Sequence, residues 1–201
     1  MTKAEFRSLI RNHLRKFDVD IHPNVVDKTI DTVFLQVFND LFRIDPGSLD
    51  GYTTRYGPYT GTLDVDVYYI DLPVSVYNMP DKAGGVRRVF STKDIKFFPS
   101  TRKECELWGY AENAILNGDG PYIVKPNKVE FVKDVVDQNT DIKTAITTDG
   151  VYMDLLQMFS SYENDDEVPL PFGRGMDIEK FTLLFLNNIQ PPDQLDNNRN
   201  D

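Results

Sequence analysis

A chain of 201 residues, 40% hydrophobic and 27% charged, is long enough for one domain with a real core and too apolar to be disordered. A net charge of −10 opposes general nucleic-acid binding, and a single cysteine, Cys105, excludes an internal disulfide framework. The apolar runs fall short of the roughly 20 residues of a membrane span, and the start lacks the apolar centre of a signal peptide, so a protein made in a reducing cytosol is expected.

Charge is unevenly spread. Lys3, Arg7, Arg11, Arg15 and Lys16 crowd the first stretch against one acid, Glu5, whereas acids dominate after Glu163, among them Asp165, Asp166, Glu167, Asp177 and Glu179. A basic head and an acidic tail favour head-to-tail contact between copies, or let the two ends meet within one chain.

Thr2 and Glu5 have capping-box spacing, which predicts a helix over 2–17 with Phe6, Leu9, Ile10 and Leu14 on one side. Arg7, Arg11 and Arg15 form a stripe beside that side, where like charges repel unless anions lie opposite. The stripe reads as a solvated face, as a salt-bridged interface with an acidic neighbour or, in third place, as a nucleic-acid contact. After a break at Pro23 comes the strongest helical pattern, 24–42. Val26, Ile30, Val33, Phe34, Val37, Phe38 and Leu41 share its apolar stripe, with Asp27, Asp31 and Asp40 off it. Leu35 lies opposite and is expected to be exposed on a lone chain. The two helices are expected to pair as a hairpin.

Residues 48–61 read as a Gly- and Tyr-rich connector. Its Tyr52, Tyr56 and Tyr59 offer stiff amphipathic contact area, to another protein or as a lid over one sheet edge. The stretch 62–99 organises a sheet. Leu63, Val65, Val67 and Tyr69 alternate with Asp64, Asp66, Tyr68 and Ile70, predicting one half-buried strand, and Gly84-Gly85 opens a second over 86–90.

Thr101 with Glu104 predicts a cap and a short helix through Trp108 to Ile115. The runs 122–124 and 129–131 flank Lys125-Pro126-Asn127-Lys128 as a hairpin, and 142–147 with 151–158 read as another around Asp149-Gly150. A last helix over 176–188 has Ile178, Phe181, Phe185 and Ile189 on one face and Leu183, Leu184 and Leu186 elsewhere. Apolar groups nearly all round imply burial on several sides, in part by a neighbouring subunit. The tail 190–201 lacks a core pattern and reads as flexible alone or ordered by a partner.

No catalytic, cofactor or metal site is expected. Asp64 and Asp66 lack the further oxygens a hard cation needs, and Asp119 between two glycines lacks the spaced acids of a calcium loop. His13 and His22 have no metal-ligand partner nearby in sequence. Cys105 reads as core, and Gly84-Gly85 lacks phosphate-loop spacing.

The order of short features does suggest a family. They are Leu49-Asp50-Gly51-Tyr52 with Arg55-Tyr56, then Leu72-Pro73, Met79-Pro80-Asp81, Gly85-Val86-Arg87 and Phe98-Pro99. Near the end come Asp165-Asp166-Glu167-Val168-Pro169-Leu170-Pro171, a helix and an Asn/Asp-rich close. Over its middle and last thirds the chain resembles head–tail connector (ring, adaptor or neck) proteins of tailed bacteriophages, of the crAss-like podovirus type. The resemblance implies a virion structural protein without catalytic residues. It implies a homo-oligomeric ring of roughly twelve copies below a portal, around a channel through which genome DNA passes without specific binding.

The expected fold is α+β in a single domain, 1–201. A helical hairpin (1–45) leads into a mostly antiparallel β region with a short middle helix (46–160), then an acidic loop and packed C-terminal helix (161–189) and the tail. Interface candidates are Arg7, Arg11, Arg15, Leu35, Tyr52, Tyr56, Tyr59, Phe181, Leu184 and Phe185. The alternative is a small-ligand or carbohydrate-handling enzyme with carboxylates such as Asp64 and Asp66 converging in a pocket. A third reading is a DNA-contacting accessory protein that uses the arginine stripe.

Overall fold

The structure, a computed structural model, describes residues 1–15, 21–110, 119–170 and 175–188. It is α+β, with helices first, a mixed and mostly antiparallel eight-stranded sheet, and a helix last. Two compact units divide the chain: 1–37 with 162–201, and 38–161. Each is described by itself.

The first unit holds α1 (Lys3–Arg15), the first part of α2 (Pro23–Ile44) and α6 (Gly175–Asn188). The capping box forms as read: Thr2 Oγ1 accepts from the Glu5 N–H at 3.2 Å, and Glu5 Oε2 accepts from the Thr2 N–H at 2.9 Å. Two further donors at the start of α1 need partners that the helix cannot supply. The N–H groups of Lys3 and Ala4 donate to the carbonyls of Asp166 and Asn164, each at 3.0 Å, so the acidic loop receives the helix start. Phe6 and Phe34 pack edge to face, centroids 6.4 Å apart, and join α1 to α2 over buried Ile10, Leu14, Ile30 and Val33. Just ahead of α2, His22 Nδ1 accepts from the Asn24 N–H at 3.3 Å.

The second unit is built on the sheet, in the order β1-β8-β4-β5-β6-β7-β3-β2. Its strands are β1 (Thr54–Tyr59), β2 (Thr62–Asp64), β3 (Val67–Asp71), β4 (Val86–Ser91), β5 (Lys96–Pro99), β6 (Gly120–Val124), β7 (Lys128–Val132) and β8 (Val151–Leu155). Neighbours run antiparallel except β5 and β6, which are parallel. Between these two lies α3 (Arg102–Tyr110), as a parallel pairing requires of its connection. Tyr68, Val89, Phe97, Tyr122, Phe131 and Met153 fill one core, each large side chain worth about 1.5–3 kcal/mol once buried. The Tyr122 hydroxyl donates to the Val86 carbonyl at 3.1 Å, and burial raises its pKa.

Several elements depart from the sequence reading. The expected single strand through 63–70 is two strands, because the chain turns at Val65-Asp66 and pairs Asp64 with Val67. Tyr68 and Ile70 are inside, while Leu63 and Val65 are exposed. Residues 142–147 are no strand. Asn139 caps α5 (Thr140–Thr144) by accepting from the N–H groups of Asp141 and Ile142, and a wider turn, Ala145–Asp149, carries it to Gly150 at φ +92°. Before that, α4 (Lys133–Val136) follows β7 directly.

The connector at 48–61 is largely ordered: Pro46–Tyr52 forms a 3-10 helix, and β1 pairs with β8. Asp27 and Asp31, off the apolar stripe of α2, are nonetheless buried. The expected extension of α3 to Ile115, together with Lys16, Ile189 and the tail 190–201, lies outside the described residues.

Candidate interaction surfaces

In the first unit the arginine stripe is partly spent inside the chain. Arg7 donates from Nε to Asp27 Oδ1 at 2.9 Å and from Nη2 to Oδ2 at 2.6 Å, and from Nη1 to Asn164 Oδ1 at 3.2 Å. Buried Lys3 lies 3.7 Å from the same carboxylate and donates to the Tyr162 carbonyl at 2.6 Å. His13 Nδ1 sits 2.9 Å from Glu179 Oε1, linking α1 to α6. Basic head and acidic tail therefore meet within one chain, which removes their charge asymmetry as an argument for contact between copies. Arg11 is half-buried and has no ion-pair partner among the described residues. The Arg15 side chain lies outside them, and Leu35 is half-buried rather than exposed.

α6 divides differently from its periodicity. Ile178, Thr182 and Leu186, at i, i+4 and i+8, are fully buried. Phe181, Leu184 and Phe185 are 47%, 57% and 37% exposed, so Phe181 and Phe185, grouped with Ile178 by periodicity, turn outward while Ile178 stays inside. Phe185 closes one side of a cavity of about 230 Å³ against Val25, Lys28, Thr29 and Thr32 of α2.

In the second unit the three tyrosines are half-buried parts of the fold. Tyr52 lies 5.9 Å from the Phe38 ring, Tyr56 hydrogen-bonds Gln157 through its hydroxyl, and Tyr56 and Tyr59 pack on the sheet core. The sheet's other face carries charge and aromatic surface. Asp154 of β8 pairs in register with Arg55 of β1 and Arg88 of β4 and takes Arg55 Nε at 2.8 Å; Phe90 stacks on Tyr152 with centroids 5.6 Å apart. A cavity of about 650 Å³ lies there, lined by Arg55, Arg87, Arg88, Phe90 and Lys96 among others. The three arginines are tied to carboxylates, Arg55 to Asp154, Arg87 to Asp81 and Arg88 to Asp50.

A third cavity, about 400 Å³, is lined by Asp66, Arg102, Cys105, Glu106 and Asp134. Burial pushes the Cys105 thiol up to about 11, so it is protonated near neutrality and unsuited to attack. No three His, Cys, Asp or Glu among the described residues are grouped to hold a metal ion. At the β2–β3 turn, by contrast, two apolar side chains stand out: Leu63 is 50% and Val65 79% exposed. Nothing in the alternating pattern singles Val65 out, because a turn there has no local signature. No helix among the described residues is long and apolar enough to cross a membrane. Neither a protein-family model nor a curated protein sequence matches the chain.

Proposed function

We propose that the chain is a structural subunit of a phage head–tail connector ring, set below the portal around the DNA channel in roughly twelve copies. The observation that carries this reading is the outward apolar face of α6. Phe181, Leu184 and Phe185 lie within five residues of one helix, and exposed clusters of large apolar groups mark contacts between proteins. The net charge of −10 suits a channel wall that DNA slides past without adhering. The short motifs of the middle and last thirds supply the family likeness.

Co-expression with the portal protein of the same phage tests the reading by native mass spectrometry. A multimer that docks on the portal ring, and is lost in Phe181→Asp/Leu184→Asp, is expected. A wild-type chain that never joins the portal contradicts it. The enzyme alternative draws on the cavity that Asp66, Glu106 and Asp134 line together with Arg102. It predicts a bound small ligand that is lost in Asp134→Asn, a change that leaves assembly intact on the ring reading.

A further inference from the structure

Val65 occupies a place where its own chain gives no reason for valine. It stands in the β2–β3 turn with φ +42°, in the left-handed region that a β-branched side chain enters only against steric resistance. Asn, Asp or Gly takes such a turn more readily. Burial offsets none of this, because the residue is 79% exposed. Strain held at an exposed position points to a contact outside the chain.

The same sequence carries a matching receptor. The cavity between α2 and α6 measures about 230 Å³, below the roughly 300 Å³ at which small-ligand pockets begin. It has room for a branched aliphatic side chain together with neighbouring atoms of the same loop tip, with Val25 and Phe185 as apolar walls. Lys28 lines it, is exposed, and has no ion-pair partner among the described residues. Val65 is flanked in sequence by Asp64 and Asp66, both exposed. An acid–apolar–acid tip thus matches an apolar cavity with a cation in its lining, a complementarity of apolar surface and charge.

We infer that the β2–β3 tip of one copy seats Val65 in the α2–α6 cavity of a second copy. Knob and hole lie at different places on the chain, so the contact is heterologous and repeats from copy to copy. Such contacts close into a ring or grow as an open filament. Closure into a ring rests on the function proposed above; the contact itself does not.

Two variants of the full chain, each with one added cysteine, Val65→Cys and Thr32→Cys, test the contact when mixed with a short thiol cross-linker; the native Cys105 is fully buried. Several-fold more cross-linked heterodimer is expected than from Val65→Cys mixed with Leu107→Cys, an exposed control on α3. Control-level cross-linking overturns the contact. Val65→Asn suits the turn and should melt no lower than wild type while self-associating at least about tenfold more weakly in sedimentation equilibrium. Unchanged association in Val65→Asn overturns the contact too. If Val65→Asn still builds the ring on the portal, the contact fails and the ring reading stands; cysteine variants that cross-link while the wild-type chain never joins the portal give the reverse.

Discussion

The Arg7 guanidinium holds the Asp27 carboxylate through two hydrogen bonds, at 2.9 and 2.6 Å, and with Lys3 at 3.7 Å makes a largely buried ion triad. One acid serves two cations there, and removing it takes both carboxylate hydrogen bonds from Arg7 and an ionic contact from Lys3. Asp27→Ala should therefore destabilise the first unit by about 3 kcal/mol. Denaturant unfolding of the full chain, followed by far-UV circular dichroism, measures it.

Gly85 has no room for a side chain. A Cβ there would lie 2.5 Å from the Tyr77 carbonyl oxygen and 2.6 Å from Val76 Cβ, while one on Gly51 meets nothing within 4 Å. Gly85→Ala is expected to cost about 2 kcal/mol or more through forced backbone movement. Gly51→Ala should be close to neutral. Paired thermal melts separate the two.

Glu104 gives the chain a stability term that depends on pH. The Lys82 ammonium and then the Thr101 N–H hold its carboxyl at about 2, against an ordinary 4.5. A lowered folded-state pKa means that the contribution is complete above about 4.5 and is lost as pH falls toward about 2. In Glu104→Gln that contribution is missing. The gap in melting temperature between wild type and variant should close as pH falls through this window, and a gap that stays constant would exclude the coupling.

Thr182 buries a hydroxyl that has no hydrogen-bond partner among the described residues. Thr182→Val keeps the shape and removes the unmet polar group, so it should stabilise the chain by about 1 kcal/mol. Phe181→Ser, one position away on the exposed face, should leave the stability of the lone chain within about 1 kcal/mol of wild type. Calorimetry on both variants checks the assigned face of α6.

Much of the fold was legible because local signals agreed with the final packing. Capping boxes at Thr2/Glu5 and Thr101/Glu104 started α1 and α3 where they begin, and the apolar stripe of α2 gave that helix within two residues at either end. The turn at 125–128 likewise gave the β6–β7 hairpin.

Elsewhere the deciding contacts were distant or atypical. The β-branched run Ile142, Thr144, Ile146, Thr147 and Thr148 imitates a strand, and the Asn139 cap decides for helix. A helix apolar nearly all round offers periodicity no face to choose, which is why α6 buries Thr182 and exposes Phe181. Asp27 looks solvated until Lys3 and Arg7 arrive from another helix. The Val65 knob and the α2–α6 cavity were illegible for a further reason: one needs a backbone angle and the other two helices brought together.

The central claim, membership of a connector ring, is tested most directly by reconstructing the virion at its head–tail junction and tracing this chain. The account predicts copies ringed around the DNA channel below the portal, with Phe181, Leu184 and Phe185 covered by a neighbouring chain. Finding the chain away from that axis, or in the ring with those three side chains bare, would contradict it.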